Sequence, residues 1–169
     1  MRPLRLKLEH RTTLGDKRQL HLKWGGFNQT ERSQLAELMS RFADEVKPTP
    51  KFLLEDWKQR QRSSIEQQPE NWVLARIGGK PVHAINARAF ENGLLKLNWA
   101  FTVPDERQKG ITFNVVKGLV DAHNSKAVDK PLRTINFLGF MNKDFGTKLS
   151  NRLRKEGMIV VADRLIKTD

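Results

Sequence analysis

Between Ala100 and Thr112 the sequence runs Ala-Phe-Thr-Val-Pro-Asp-Glu-Arg-Gln-Lys-Gly-Ile-Thr, which reads as a strand end, a short polar loop and a helix start. A chain that leaves a strand, passes Gly110 and enters a helix aims several free backbone N–H groups at one point, at the positive end of the helix dipole. Such a point cradles an anion. The same run also fits an ordinary strand-to-helix connection with one glycine in it, and the loop alone does not separate the two readings.

Candidate acid–base groups are few. Lys96 and Asn98 fall on the strand face opposite Leu95 and Leu97, no carboxylate shares that face, and Glu66, Glu70 and Glu91 serve only if they fold inward. His83 lies on a neighbouring strand, where a single histidine is usually structural. No Ser/His/Asp spacing, zinc pattern or phosphate-binding P-loop stands out.

The elements around the loop follow from periodicity. Leu4 to Glu9 and Gln19 to Trp24 alternate apolar and polar and predict a hairpin turning over Thr12 to Lys17. Asn28 and Glu31 form a capping-box signature for a helix to about Val46, with Leu35, Leu38, Met39 and Phe42 at helical spacing. Thr49 is placed to cap and Pro50 to open a second helix carrying Leu53, Leu54, Trp57, Gln61 and Ile65. Three strands follow as a meander: Trp72 to Ile77, Val82 to Phe90 and Leu94 to Val103. Leu95, Leu97, Trp99, Phe101 and Val103 are expected on its core face, with Asn98 and Thr102 toward a cleft. A helix from Ile111 to about Ser125, a buried strand from Leu132 to Met141, a helix from about Lys143 to Glu156 and a strand from Met158 to Ile166 complete the order.

Composition narrows the partners. The 169 residues carry 31 Lys and Arg against 19 acids, a net charge of +12. That excess favours anionic partners: nucleic acid, acidic protein or a phosphorylated cofactor. From Met1 to Gly25 seven basic residues face two acids, the most basic part of the chain. With no cysteine, disulfides, thiolate metal sites and a cysteine nucleophile are excluded, and metal ligation in general has no motif to support it. No apolar run approaches membrane-spanning length, so the expectation is a cytoplasmic protein with no membrane partner. Oligomeric state stays open, a homodimer among the alternatives.

Helix, helix, meander, phosphate-type loop, helix, strand, helix, strand: in this order, and in the run Thr102-Val103-Pro104-Asp105-Glu106-Arg107-Gln108-Lys109-Gly110-Ile111-Thr112, the chain resembles the GCN5-related N-acetyltransferase (GNAT) superfamily. Asn142 opening the later helix and Gly157-Met158 are a second echo. The resemblance implies an α/β (α+β) fold, a mixed and mostly antiparallel sheet flanked by about four helices with the basic hairpin added at residues 1–25. Residues 1–169 would form a single domain whose part 71–167 binds acetyl-coenzyme A (acetyl-CoA). Backbone groups from Gln108 through Gly110 and Ile111 to Thr112 would take the pyrophosphate, with Arg107 and Lys109 adding charge. The pantetheine arm would enter beside Thr102 and Val103, with Asn142 and Phe145 on its far side. The activity implied is acetyl transfer to an amine on a protein, peptide or aminoacylated RNA. The alternative is a catalytically silent module of the same fold that binds nucleic acid or protein through the basic face, as in a viral assembly or structural component.

Three departures touch the implied catalysis. Thr112 stands where the family usually has Gly or Ala. A tyrosine that commonly protonates the leaving thiolate belongs near Leu153, and the chain has no tyrosine; Ser150 is the nearest hydroxyl on that helix. The family usually adds a hairpin after the last strand found here, so the acceptor side is expected to be abnormal or completed by a partner. Asn98 and Ser150 are therefore the catalytic candidates.

Overall fold

A computed structural model describes residues 2–126, 130–138 and 143–162. Seven strands form one sheet in sequence order: β1 Leu8–Thr13, β2 Gln19–Trp24, β3 Trp72–Ile77, β4 Lys80–Ala89, β5 Leu94–Thr102, β6 Thr134–Phe137 and β7 Ile159–Ala162. Pairing is antiparallel from β1 to β5 and parallel from β5 through β6 to β7. Four α-helices accompany it among the described residues: α1 Gln29–Val46, α2 Leu54–Gln67, α3 Ile111–Lys126 and α4 Lys143–Lys155. As expected, β6 lies beside β5 in the same sheet with α3 crossing over between them, the connection a parallel pair requires.

The sheet separates two apolar layers. On one side α3 and α4 bring Val115, Val116, Leu119, Leu149 and Leu153 against Val73, Ile85, Leu97 and Ile135. On the other, α1 and α2 bring Leu35, Met39, Phe42, Trp57 and Ile65 against Trp72, Leu74, Ala84 and Phe101. Strand β3, covered on both sides, is therefore apolar on both faces and reads Trp-Val-Leu-Ala without alternation. Helix α3 runs close to β2: a Cβ on Gly118 would stand 2.6 Å from Leu22 Cδ1, so a larger residue there would require the Leu22 side chain to shift.

Helix α1 starts as its sequence demands. Asn28 Oδ1 accepts the Glu31 N–H at 2.9 Å and Glu31 Oε1 accepts the Asn28 N–H at 2.9 Å, the reciprocal capping box. The Glu31 carboxylate is buried and also takes Lys23 Nζ at 2.8 Å and Arg76 Nη2 at 3.3 Å, tying the helix start to β2 and β3. Burial alone would raise its pKa, but the Lys23 and Asn28 hydrogen bonds and the charges of Lys23 and Arg76 hold it below the usual carboxylate range.

Four expectations need correction. The first strand lies at Leu8–Thr13 and not at Leu4 to Glu9, because a tight turn over Leu14 to Lys17, closed by Leu14 N–H to Arg18 O at 2.9 Å, fixes the register with β2. Leu4 and Leu6 still pack on the core, while Pro3 and Leu4 pair with the overhanging end of β4. Thr49 caps nothing: its hydroxyl donates to Pro50 O, and a 3₁₀ turn over Lys51–Leu53 precedes α2. The expected single core face of β5 is broken at Trp99, whose φ of 48° is left-handed. Asn86 pairs with Asn98 but Ala84 with Phe101, so two residues of β5 oppose one of β4, a β-bulge. As a result Leu95 and Leu97 face the α3 layer, and Trp99 and Phe101 face the α1 layer. The last correction is one of length, since β6 ends at Phe137. Its expected continuation over residues 139–141, and that of β7 over 163–166, lie outside the described residues.

Candidate active site

The bulge coincides with the end of the β5–β6 pairing. Four residue pairs, Leu94↔Thr134 to Leu97↔Phe137, hold the two strands together, and Leu138 N–H to Leu97 O is the last bond between them among the described residues. Beyond it β5 continues to Thr102, and among the described residues none pairs with that edge. A cleft of about 580 Å³ lies there, bordered by β5 from Ala100 to Thr102, the loop from Glu106 to Gly110, the start of α3, one face of α4 and the end of α1.

The loop is built by local backbone demands. Pro104–Glu106 makes one 3₁₀ turn, Arg107 is extended, and Gln108 and Gly110 take φ of 62° and 74°. Among the described residues none of the N–H groups of Gln108, Lys109 and Gly110 finds a backbone acceptor. The first N–H groups of α3, at Ile111, Thr112 and Phe113, have no intrahelical partner by construction. Gly110 O is taken by Asn114, from the backbone at 3.0 Å and from Nδ2 at 2.8 Å, so the carbonyl is turned away and the N–H groups are left for a ligand.

Charge arrives from residues that the sequence did not single out. Arg152 of α4 lies over the Phe113 ring at 3.7 Å, and its Nη1 would be 3.2 Å from a Cβ on Gly110. Lys148, one turn earlier, lines the same wall, as does the exposed ring of Phe145. Arg107, in contrast, is engaged by protein. It makes two hydrogen bonds of 2.6 Å to Glu45 of α1, donates Nε to Thr102 O at 2.9 Å and sits 5.4 Å over the Phe101 ring. The hydrogen bonds from Arg107 hold Glu45 below the usual carboxylate range. Glu106 is held down likewise by Arg18 of the β1–β2 turn, whose guanidinium grips it at 2.6 and 2.9 Å and also holds Asp16. Lys109 stays largely exposed, 3.7 Å from Glu106.

The other residues singled out in the sequence scatter. Thr112 is buried and lines the cleft; Thr102 lines it too, with its hydroxyl 2.8 Å from His83 Nδ1. Val103 packs on both apolar layers. Ser150 is buried and not on the cleft wall. Asn98 borders a second cavity of about 370 Å³ on the α2 side of the sheet, and its Oδ1 accepts the Trp99 N–H at 3.0 Å. Asn142 lies outside the described residues. His83 is fully buried, and desolvation pushes it down to about 3, so it is a neutral core residue at physiological pH. Phe145, named from the resemblance, lines the cleft; Lys148 and Arg152 were not singled out, and their spacing of three and seven residues from Phe145 along one helical face was the only trace of them in the sequence.

No family model matches the sequence, and no curated protein matches it. Solved structures do match by fold. AAC(6')-Iy in complex with the bisubstrate analogue CoA-S-monomethyl-acetylneamine aligns at a TM-score of 0.57 and 16% identity, over 89% of this chain and 97% of that one. The same aminoglycoside N-acetyltransferase in complex with CoA aligns at 0.52 and 14%, over 98% of each chain. An N-acetyltransferase from Staphylococcus aureus Mu50 aligns at 0.52 and 13%, over 78% and 88%. At these identities the likeness establishes the fold, which the chain shares with these acetyltransferases.

Proposed function

We propose that the protein is an acetyl-CoA-dependent N-acetyltransferase, with residues 1–169 acting as one domain. The observation that carries this reading is the conjunction, at one cleft beside the end of β5, of a cradle of N–H groups without backbone acceptors and the Arg152 guanidinium. The N–H groups from Gln108 to Thr112 hold the pyrophosphate, as helix starts hold anions. Arg152 and Lys148 supply charge-assisted contacts from the opposite wall. Phe145 and the edge of β5 at Ala100 to Thr102 flank the acyl-bearing arm. Structures of this fold in complex with CoA and a CoA bisubstrate analogue support the choice of ligand.

When bound, acetyl-CoA supplies a thioester. In the transfer the amine nitrogen bonds to the carbonyl carbon, the C–S bond breaks, and the proton lost by nitrogen ends on sulfur. Positioning of the two reactants at the bulge provides the main acceleration. Glu45 and Glu106 do not act as bases, because both are locked in arginine pairs.

Calorimetric titration with acetyl-CoA, beside a thermal melt, tests this reading. Wild-type protein should bind. Gly110→Glu, which drives bulk and negative charge into the cradle against Arg152, should fold and fail to bind. No heat and no thermal shift from wild type at millimolar acetyl-CoA would overturn it.

A further inference from the structure

Resting on the acetyltransferase reading, we propose that Arg18, in the turn of the N-terminal hairpin, belongs to the anion site: by neutralising Glu106 it keeps a carboxylate from repelling the pyrophosphate and leaves Lys109 to face it. The run from Thr102 to Thr112 does not contain Arg18, which lies 88 residues from Glu106 in the chain. The fold brings the two together.

The cleft needs such a partner. Its lining holds two carboxylates, Glu45 and Glu106, and three cations, Arg107, Lys148 and Arg152. Arg107 is committed to Glu45, so within the lining Glu106 could be offset only by Lys148 or Arg152, the charges left for a ligand. Glu106 also stands two residues before Gln108, where the cradle begins. An ionised carboxylate there opposes a second anion. Arg18 answers it from outside the cleft: its Nη1 and Nη2 donate to the two Glu106 oxygens at 2.9 and 2.6 Å, fork to fork. Asp16 accepts the Arg18 Nε at 2.8 Å and the Arg18 backbone N–H at 3.1 Å, which orients the guanidinium before any ligand arrives.

Lys109 reaches Glu106 only at 3.7 Å. With both carboxylate oxygens held at shorter range by Arg18, its ammonium can turn to a phosphate; without Arg18 it would be drawn onto Glu106. Glu45 differs. Its side chain is 46% exposed against 13% for Glu106, so water screens Glu45 when Arg107 is removed, whereas Glu106 has little water to stand in for Arg18. Charge can be separated from mere fastening of the loop to the hairpin, because Glu106→Gln keeps the length and an acceptor oxygen for Arg18 but carries no charge.

Acetyl-CoA and inorganic pyrophosphate serve as probes, each followed by the Gly110 amide resonance, with a thermal melt for every variant. Arg18→Ala should bind both about tenfold more weakly, and Arg18→Lys should recover most of the loss. Glu106→Gln should bind at least as tightly as wild type, and Arg18→Ala/Glu106→Gln should return to within about twofold of Glu106→Gln. Unchanged binding by Arg18→Ala overturns the proposal, as does a Glu106→Gln variant or a double variant as weak as Arg18→Ala, the result expected of a fastening role. Should Arg18→Ala fail to fold, Glu106→Gln decides by the same criterion. If pyrophosphate follows the expected order while wild type takes no acetyl-CoA, the role of Arg18 stands and the acetyltransferase reading falls; silence with both probes overturns both.

Discussion

Arg107 and Glu45, 62 residues apart, share two hydrogen bonds of 2.6 Å that close one wall of the cleft by joining the loop to the last turn of α1. The guanidinium is thereby directed at a carboxylate and at the Phe101 face, not at the space between the loop and α4. Arg107→Ala should therefore act mainly on structure. Because the pair is partly exposed, the loss of stability should be no more than about 1 kcal/mol. Acetyl-CoA affinity, measured by calorimetry, should fall by less than threefold.

Arg152→Ala should do the reverse. Its guanidinium stands at the free N–H groups beside Gly110, so removing it should weaken acetyl-CoA about tenfold, or about 1.4 kcal/mol. The melting temperature should change little, since the head group lies on a ring face at the cleft. Calorimetry on both arginine variants checks the order; a larger effect from Arg107→Ala would reverse the assignment.

The contrast between these two arginines marks what the sequence could tell. The loop was legible because Pro104 and Gly110 impose their backbone conformations locally, whatever surrounds them. Arg107 carried the right charge at the right place in the chain, yet its partner Glu45 lies in a different layer and no local pattern pairs them. Arg152 is one of several basic residues on α4, anonymous until the helix is laid beside Phe113. The bulge was hidden by a regular alternation: Leu95, Leu97, Trp99 and Phe101 read as one face, and only the packing of Trp99 against Phe42 and Trp57 puts a left-handed tryptophan in the strand. The hairpin was legible as a pair, but its register depended on a turn whose left-handed residue is Lys17 and not a glycine.

His83 should set a pH dependence of its own. Burial lowers its pKa to about 3 in the folded protein, whereas an unfolded chain has about 6.5. Between these values the unfolded state binds the proton and the folded state does not, so stability present above about pH 6.5 is lost as pH falls, by up to about 1.4 kcal/mol per unit. The depressed carboxylates Glu31, Glu45 and Glu106 contribute only below about pH 4.5, their unfolded range. Thermal melts of wild type should therefore decline between pH 6.5 and 4.5, and His83→Asn should flatten that interval while leaving the steeper fall below it. An equal slope in both proteins would show that His83 is not the titrating group.

The sheet with a separate apolar layer on each face implies two tiers of protection in amide hydrogen exchange. The α1–α2 layer, with Leu35, Met39, Trp57 and Ile65, can come away as a cooperative unit while the α3 side keeps the strands covered. Such sub-global opening would bare Trp72 and Phe101 but leave the Gln108 to Thr112 loop anchored by Arg18 and α3. Amides of α2 would then exchange ahead of those in β3 and β4, and a cofactor bound at the loop would survive fluctuations that momentarily dismantle the opposite wall.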